Sequence, residues 1–177
     1  MFENLTPAEY QVLLRQDFVS FAARCFQDLN PQAELAMNWH LEVIAAKLTA
    51  VREGKIRRLI INLPPRHLKS LMASIAFPAW CLGHDPSAQI LCVSYAQDLA
   101  DKLARDCRSI MMSPWYRRIF PTRLAPHRPG GAGIHHHPPG LPARHLHRRR
   151  AHRTRVRNLT PVFLRRSQPH RRSKWTR

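Results

Sequence analysis

Arg58–Phe77 reads RLIINLPPRHLKSLMASIAF. Leu59, Ile60 and Ile61 run into a proline-containing turn, the turn closes on Lys69-Ser70, and a long apolar run follows. Adjacent isoleucines predict a strand buried on both faces, from about Arg58 to Asn62. The turn then covers Leu63 to Leu68, and the spacing after it predicts a helix from about Lys69 to Leu82. This is the frame of a phosphate-binding loop, G-x-x-x-x-G-K-[ST], with Leu63 and Leu68 standing in the place of both glycines.

Glycines serve such a loop by allowing positive φ and by letting the backbone approach a phosphate. Other parts of the frame survive without them. Backbone N–H groups at a helix start attract anions whatever side chains they carry. Lys69 is placed to reach β- and γ-phosphates and Ser70 to bind Mg²⁺. Pro64 and Pro65 stiffen the turn by fixing two φ angles. The candidate nucleotide-binding stretch is therefore Pro64, Pro65, Arg66, His67, Leu68, Lys69 and Ser70. On spacing alone a second reading stands beside it: an ordinary strand–turn–helix with a surface lysine at its start.

Upstream, Thr6-Pro7-Ala8-Glu9 is a capping box with proline at the first helical position. Leu13, Leu14, Phe18, Phe21, Ala22, Cys25 and Phe26 recur at helical spacing and predict one amphipathic helix. Asn30-Pro31 repeats the cap-plus-proline signal and predicts a second helix to about Arg52, ended by Glu53-Gly54-Lys55. Downstream, Gly83 to Ser87 reads as a loop and Gln89 to Tyr95 as another buried strand. Gln97 to Met112 reads as an amphipathic helix, and Pro114-Trp115-Tyr116 opens a short helical turn. Helix, helix, strand, helix, strand, helix is the order of an α/β domain with a parallel sheet and crossover helices.

The chain is long enough, at 177 residues, for one domain with a real core. Its net charge of +18 is unevenly placed. Residues 1–126 carry 15 Lys/Arg against all 11 Asp/Glu, whereas 127–177 carry 14 Lys/Arg, no acid and 8 of the 11 His. After Pro126 there is no hydrophobic periodicity, which predicts a disordered basic tail. Cys25, Cys81, Cys92 and Cys107 are widely spaced among apolar neighbours, without a C-x-x-C pair. They are expected to be buried thiols of a reducing cytoplasm. The first ten residues do not read as a secretory signal, and no apolar run approaches the roughly 20 residues of a membrane span.

Gly54–Ser70, GKIRRLIINLPPRHLKS, resembles the ATP-binding loop of phage and prophage large terminase subunits, the motors that package viral DNA into procapsids. That family often carries a P-P-R-x-x-K-S form of the loop. The resemblance extends upstream to NWHLEVIAAKLTAVREGK (Asn38–Lys55) and downstream to ILCVSYAQDLADKLARDCRSIMMSPWYRRIFP (Ile90–Pro121). It implies that residues 1–128 are the N-terminal part of a P-loop ATPase domain, a partial parallel sheet with flanking helices preceded by two helices. It implies ATP and Mg²⁺ as cofactors, with Lys69 on the phosphates and Ser70 on the metal. Arg66 would sense the γ-phosphate, or else be a solvated turn residue. Trp39 and His40 would contact adenine, or else be a packed aromatic and a helix-surface histidine. Ser94-Tyr95 would be the motif after the second strand, or a core edge. The implied partners are viral double-stranded DNA, a small terminase subunit and a portal protein, inside a bacterial host and away from its membrane.

Hydrolysis by this class needs an acid at a strand end for Mg²⁺ and a glutamate that activates water. No apolar run ending in paired acids occurs. Asp85 reads as a loop residue, and Asp98, Asp101 and Asp106 as a polar helix face. No acid follows Asp106, so the carboxylate cluster of the family's nuclease domain is missing too. The chain is thus expected to be a truncated, catalytically incompetent form. A one-base shift of a back-translation from Pro129 permits a continuation like that family's, which suggests that residues 129–177 are largely a frameshifted tail. Two other readings rest on that tail. Arginine runs such as Arg148-Arg149-Arg150 would grip nucleic acid nonspecifically. His135, His136 and His137 with His145 and His147 would capture a transition metal weakly, without the spacing of a structural site.

Overall fold

The computed structural model describes residues 5–94 and 96–124, together with the backbone of Val162–Arg165. The tail histidines and arginines named above, and Tyr95, lie outside the described residues.

The capping box forms as the residues dictate: the Glu9 backbone N–H donates to Thr6 Oγ1, and the Thr6 backbone N–H donates to the Glu9 carboxylate. It starts α1 (Pro7–Gln16). The single long helix expected here is two. Asp17 leaves helical geometry at φ −104°, and its carboxylate accepts the Ser20 N–H at 2.7 Å. It thereby caps α2 (Phe18–Leu29), and apolar periodicity runs through the break because both helices bury the same side. The next helix also begins later than expected. Asn30 is the C-cap of α2, its backbone N–H bonded to the Phe26 carbonyl, so Asn30-Pro31 marks an exit rather than an entry. Residues 31–38 cross to α3 (Trp39–Arg52).

The helix predicted after the turn is present from Lys69 to His84. Its middle, Leu71–Ala76, is wound as a π-helix, followed by α4 (Phe77–His84). Gly83 was expected in a loop but lies in this helix. A strand, β1 (Gln89–Cys92), leads to α5 (Gln97–Met112) and α6 (Pro114–Ile119), both as expected.

The parallel sheet is not formed, and the P-loop NTPase architecture expected from the sequence is corrected to a mainly helical one. Among the described residues the strand pairing is antiparallel, β1 with β2 (Val162–Arg165), in register Gln89 to Arg165. Arg58–Asn62 is irregular, and Ile60 is 84 % exposed. The expected buried strand at Gln89–Tyr95 is shorter and lies at the surface, with Leu91 and Cys92 exposed. The reason is a lack of partners. A strand buried on both faces needs neighbours on its edges to satisfy each N–H and C=O. Among the described residues no strand lies beside Arg58–Asn62 to complete those hydrogen bonds.

Helices pack on helices instead. Phe18 meets Trp80 at 5.2 Å and Phe77 at 5.9 Å, while Phe21 meets Trp115, Tyr116 and Phe120 at 5.5, 6.2 and 6.0 Å between ring centroids. Buried polar tips find partners far along the chain. Tyr116 Oη donates to the Ala79 carbonyl and Thr122 Oγ1 to the Leu82 carbonyl, both at 2.8 Å. Cys25, Cys81 and Cys107 are buried as expected, but Cys92, expected to be buried too, is exposed. Burial pushes the Cys25 and Cys107 thiols well up, which makes them poor nucleophiles at neutral pH.

One contact in this core carries a pH prediction. The Arg15 carbonyl accepts from Trp80 Nε1 at 3.2 Å and from His84 Nε2 at 2.9 Å. Burial, then the nearby Arg52 and Arg15 charges, hold His84 below the usual imidazole range, against an opposing contribution from that hydrogen bond. The native state therefore binds the His84 proton more weakly than the unfolded chain. The stabilisation is complete above the unfolded pKa, about 6.5. It is lost as pH falls through that value towards the lower native one. Urea midpoints should drop between pH 7.5 and 5.5, and His84→Gln should flatten that dependence. An equal drop in the variant would assign it elsewhere.

Candidate nucleotide site

The turn Leu63–Leu68 joins the irregular Arg58–Asn62 segment to the helix that begins at Lys69. Lys69 and Ser70 stand at the helix N-terminus, as the spacing predicted. Two residues of the turn have left-handed backbones: Arg66 at φ 66° and Leu68 at φ 55°. Positive φ is uncommon for a residue with a Cβ and costs of order 1–3 kcal/mol, more readily tolerated by glycine. Leu68 occupies the second glycine position of the phosphate-loop frame. It has a left-handed backbone while its side chain packs against the core and lines an apolar hollow with Val19, Ala22, Leu41, Leu71 and Met72. Leu68 is half-buried there, so its contacts offset part of that strain. Leu63, at the first glycine position, also packs against the core.

Lys69 Nζ donates to the Leu63 carbonyl at 2.8 Å, spanning the turn end to end. The ammonium is thus folded back over the loop it would serve, on a weak neutral acceptor that an anionic phosphate would outcompete. Ser70 has helical angles, φ −71° and ψ −37°, and its hydroxyl makes no capping hydrogen bond. Arg66 is exposed. His67 is exposed, with Nδ1 at 2.9 Å from the Pro65 carbonyl, which requires a proton on Nδ1. Pro64 and Pro65 are exposed on the outer rim.

The fold brings His40, with Trp39 beside it, to this loop. The His40 ring lies 5.6 Å from the His67 ring, and Trp39 stands edge to face with His40 at 6.2 Å. Trp39 is 72 % exposed at the start of α3, so it is not the packed aromatic of the alternative reading. Two features escaped the sequence reading: the Leu63 carbonyl as the acceptor for Lys69, and the His40–His67 contact. Neither had a signal in the sequence, since both depend on the path of the turn.

The four acids that follow the loop serve local structure or lie on the surface of α5. Asp85 caps α4 and accepts the Ser87 N–H at 2.9 Å, which makes it a turn former. Asp101 accepts from Gln97 and Asp106 from Lys102, both at 2.7 Å along the surface of α5. Asp98 is exposed on the first turn of α5. No cluster of three or more His, Cys, Asp or Glu able to hold a metal occurs among the described residues. No described helix is long and apolar enough to cross a membrane.

Comparison of the chain with protein-family models, with curated proteins and with solved structures finds no match.

Proposed function

We propose that the chain holds a nucleoside triphosphate, ATP with Mg²⁺, on the Leu63–Ser70 loop, as the nucleotide-gripping N-terminal part of a DNA-packaging motor subunit of the terminase kind. One observation carries the reading. Leu68 supplies the backbone of a glycine at the position where a phosphate loop needs one, directly before Lys69 and Ser70 at a helix N-terminus. The loop stands at the head of a helix bundle, not at the end of a parallel strand. Lys69 would leave the Leu63 carbonyl for the phosphates, Ser70 would offer its uncommitted hydroxyl to Mg²⁺, and exposed Arg66 would face the terminal phosphate. Trp39 and His40 provide rings beside the loop for a base to stack on. The remaining partners of this reading are viral double-stranded DNA, a small terminase subunit and a portal protein.

The same reading denies turnover. On it Lys69 and Ser70 would hold phosphate with no acid of the described residues assigned to polarise water, and binding a ground state gives little transition-state stabilisation. Purified protein should bind Mg-ATP, and Lys69→Ala should weaken binding about 10- to 100-fold, the worth of one charge-assisted hydrogen bond. Steady-state phosphate release should stay at background for both proteins. Lys69-dependent release would reveal a catalytic acid outside those named, and unchanged binding in Lys69→Ala would sink the nucleotide reading.

A second reading has its own observation, the 14 Lys/Arg and no acid of residues 127–177. On it the tail binds nucleic acid through phosphate contacts, with affinity falling steeply as salt rises. It predicts binding that survives Lys69→Ala and disappears when residues 127–177 are removed.

A further inference from the structure

The π-helical winding of Leu71–Ala76 has a cause in the sequence and a consequence for the loop. π-Helical turns are rare and gather at functional sites. Here the Phe77 N–H bonds the Met72 carbonyl, an i to i−5 contact. The next contact of that series would need an N–H from residue 78, which is proline. The α-helical alternative would also need that N–H, for the Ser74 carbonyl, and would press the proline ring against the same carbonyl. Pro78 is therefore where the ladder changes register. The wide turn leaves a trace at Ser74, whose hydroxyl is buried without a hydrogen-bond partner among the described residues. In an α-helix such a hydroxyl commonly bonds the carbonyl four residues back, here that of Ser70.

We propose that Pro78 is a positioning residue for the nucleotide loop, an inference that rests on the function proposed above. Phe77–Gly83 is buried along its whole length, so that half of the helix cannot turn. The wide turn holds one residue more than an α-helical turn would. Closing it would swing everything on its N-terminal side by one residue, about 100° and 1.5 Å. Lys69 and Ser70 lie on that side. Pro78 thus sets the direction in which the ammonium and the hydroxyl face the loop.

The test uses the full chain with Mg-ATP as probe. Pro78→Ala restores the missing N–H. Without ligand, amides of residues 71–77 should exchange about fivefold more slowly, the worth of one hydrogen bond. Mg-ATP affinity should fall about tenfold or more, because loop groups one residue out of register lose their contacts. Deleting the half-buried Ala73 in the Pro78→Ala background removes the surplus residue and should restore affinity. A merely stabilising role for Pro78 predicts a further loss on deletion, so absence of rescue overturns the proposal. Equal affinity in wild type and Pro78→Ala also overturns it. If the wild type fails to bind Mg-ATP, the function proposed above falls, and unchanged exchange at residues 71–77 would separately refute the hold exerted by Pro78. Pro78→Ser, which restores the same N–H, takes the place of Pro78→Ala should the latter lack the wild-type circular dichroism.

Discussion

Trp80→Ala should remove about 3–5 kcal/mol of stability, a large share of the total. Trp80 is 1 % exposed and stands where four elements converge. Its ring packs 5.2 Å from Phe18 of α2 and 4.9 Å from His84 of its own helix, and the Arg52 guanidinium of α3 lies 4.5 Å above its centroid. Its Nε1 donates to the Arg15 carbonyl in the last turn of α1. Truncation removes the ring, leaves a cavity, and strips that carbonyl of one of its two side-chain donors. Loss of a buried Trp or Phe costs about 3–5 kcal/mol, against a total stability for such domains of about 5–15 kcal/mol. Trp80→Phe keeps the ring and loses the hydrogen bond, so it should cost markedly less. Urea denaturation followed by circular dichroism measures both. Equal costs would place the energy in the hydrogen bond and refute the packing argument.

Gly83→Ala should be the most damaging addition of a single methyl group. A Cβ at position 83 would lie 2.6 Å from two atoms of the Phe120 ring and 2.7 Å from a third. Real Cβ atoms do not approach so closely. Relief by moving the ring is blocked, because Phe120 is 1 % exposed and enclosed by Phe21, Tyr116 and His84. Arg15 covers it as well, and donates to the Ile119 carbonyl next to it. In an exposed helix the same substitution would stabilise by about 1 kcal/mol; overpacking here should cost about 1–3 kcal/mol or more. The sign is the test. A rise in melting temperature for Gly83→Ala would mean that the ring moves aside freely. Phe120→Leu combined with Gly83→Ala should recover part of the loss, since a smaller side chain leaves room for the methyl.

How much of this was legible follows from what each feature depends on. The capping box at Thr6, the helix Gln97–Met112 and the helix start at Lys69 rest on residues within a few positions of one another. Local rules therefore found them. The break at Asp17 had a local signal as well, an acid three residues before Ser20. The apolar stripe runs on through it and hides that signal. Gly83 looked like punctuation between helix and strand. It is packing, and its reason for being glycine is a ring 37 positions further along the chain.

The strands divide the two kinds of information most clearly. Leu59, Ile60 and Ile61 have the composition of a buried strand, and composition is all that a sequence window supplies. A strand is an agreement between segments, however, and Arg58–Asn62 has no segment beside it among the described residues to complete its hydrogen bonds. The apolar run was thus read correctly as apolar and wrongly as sheet. By itself, the sequence determined where helices start, which residues are apolar, where basic charge accumulates, and that Lys69 and Ser70 follow a stiff turn. Only the tertiary structure decided that helices pack on helices, that Leu68 has a left-handed backbone while its side chain packs against the core, and that His40 meets His67 of the loop. Those outcomes depend on contacts between distant residues, whose free energies no local window contains.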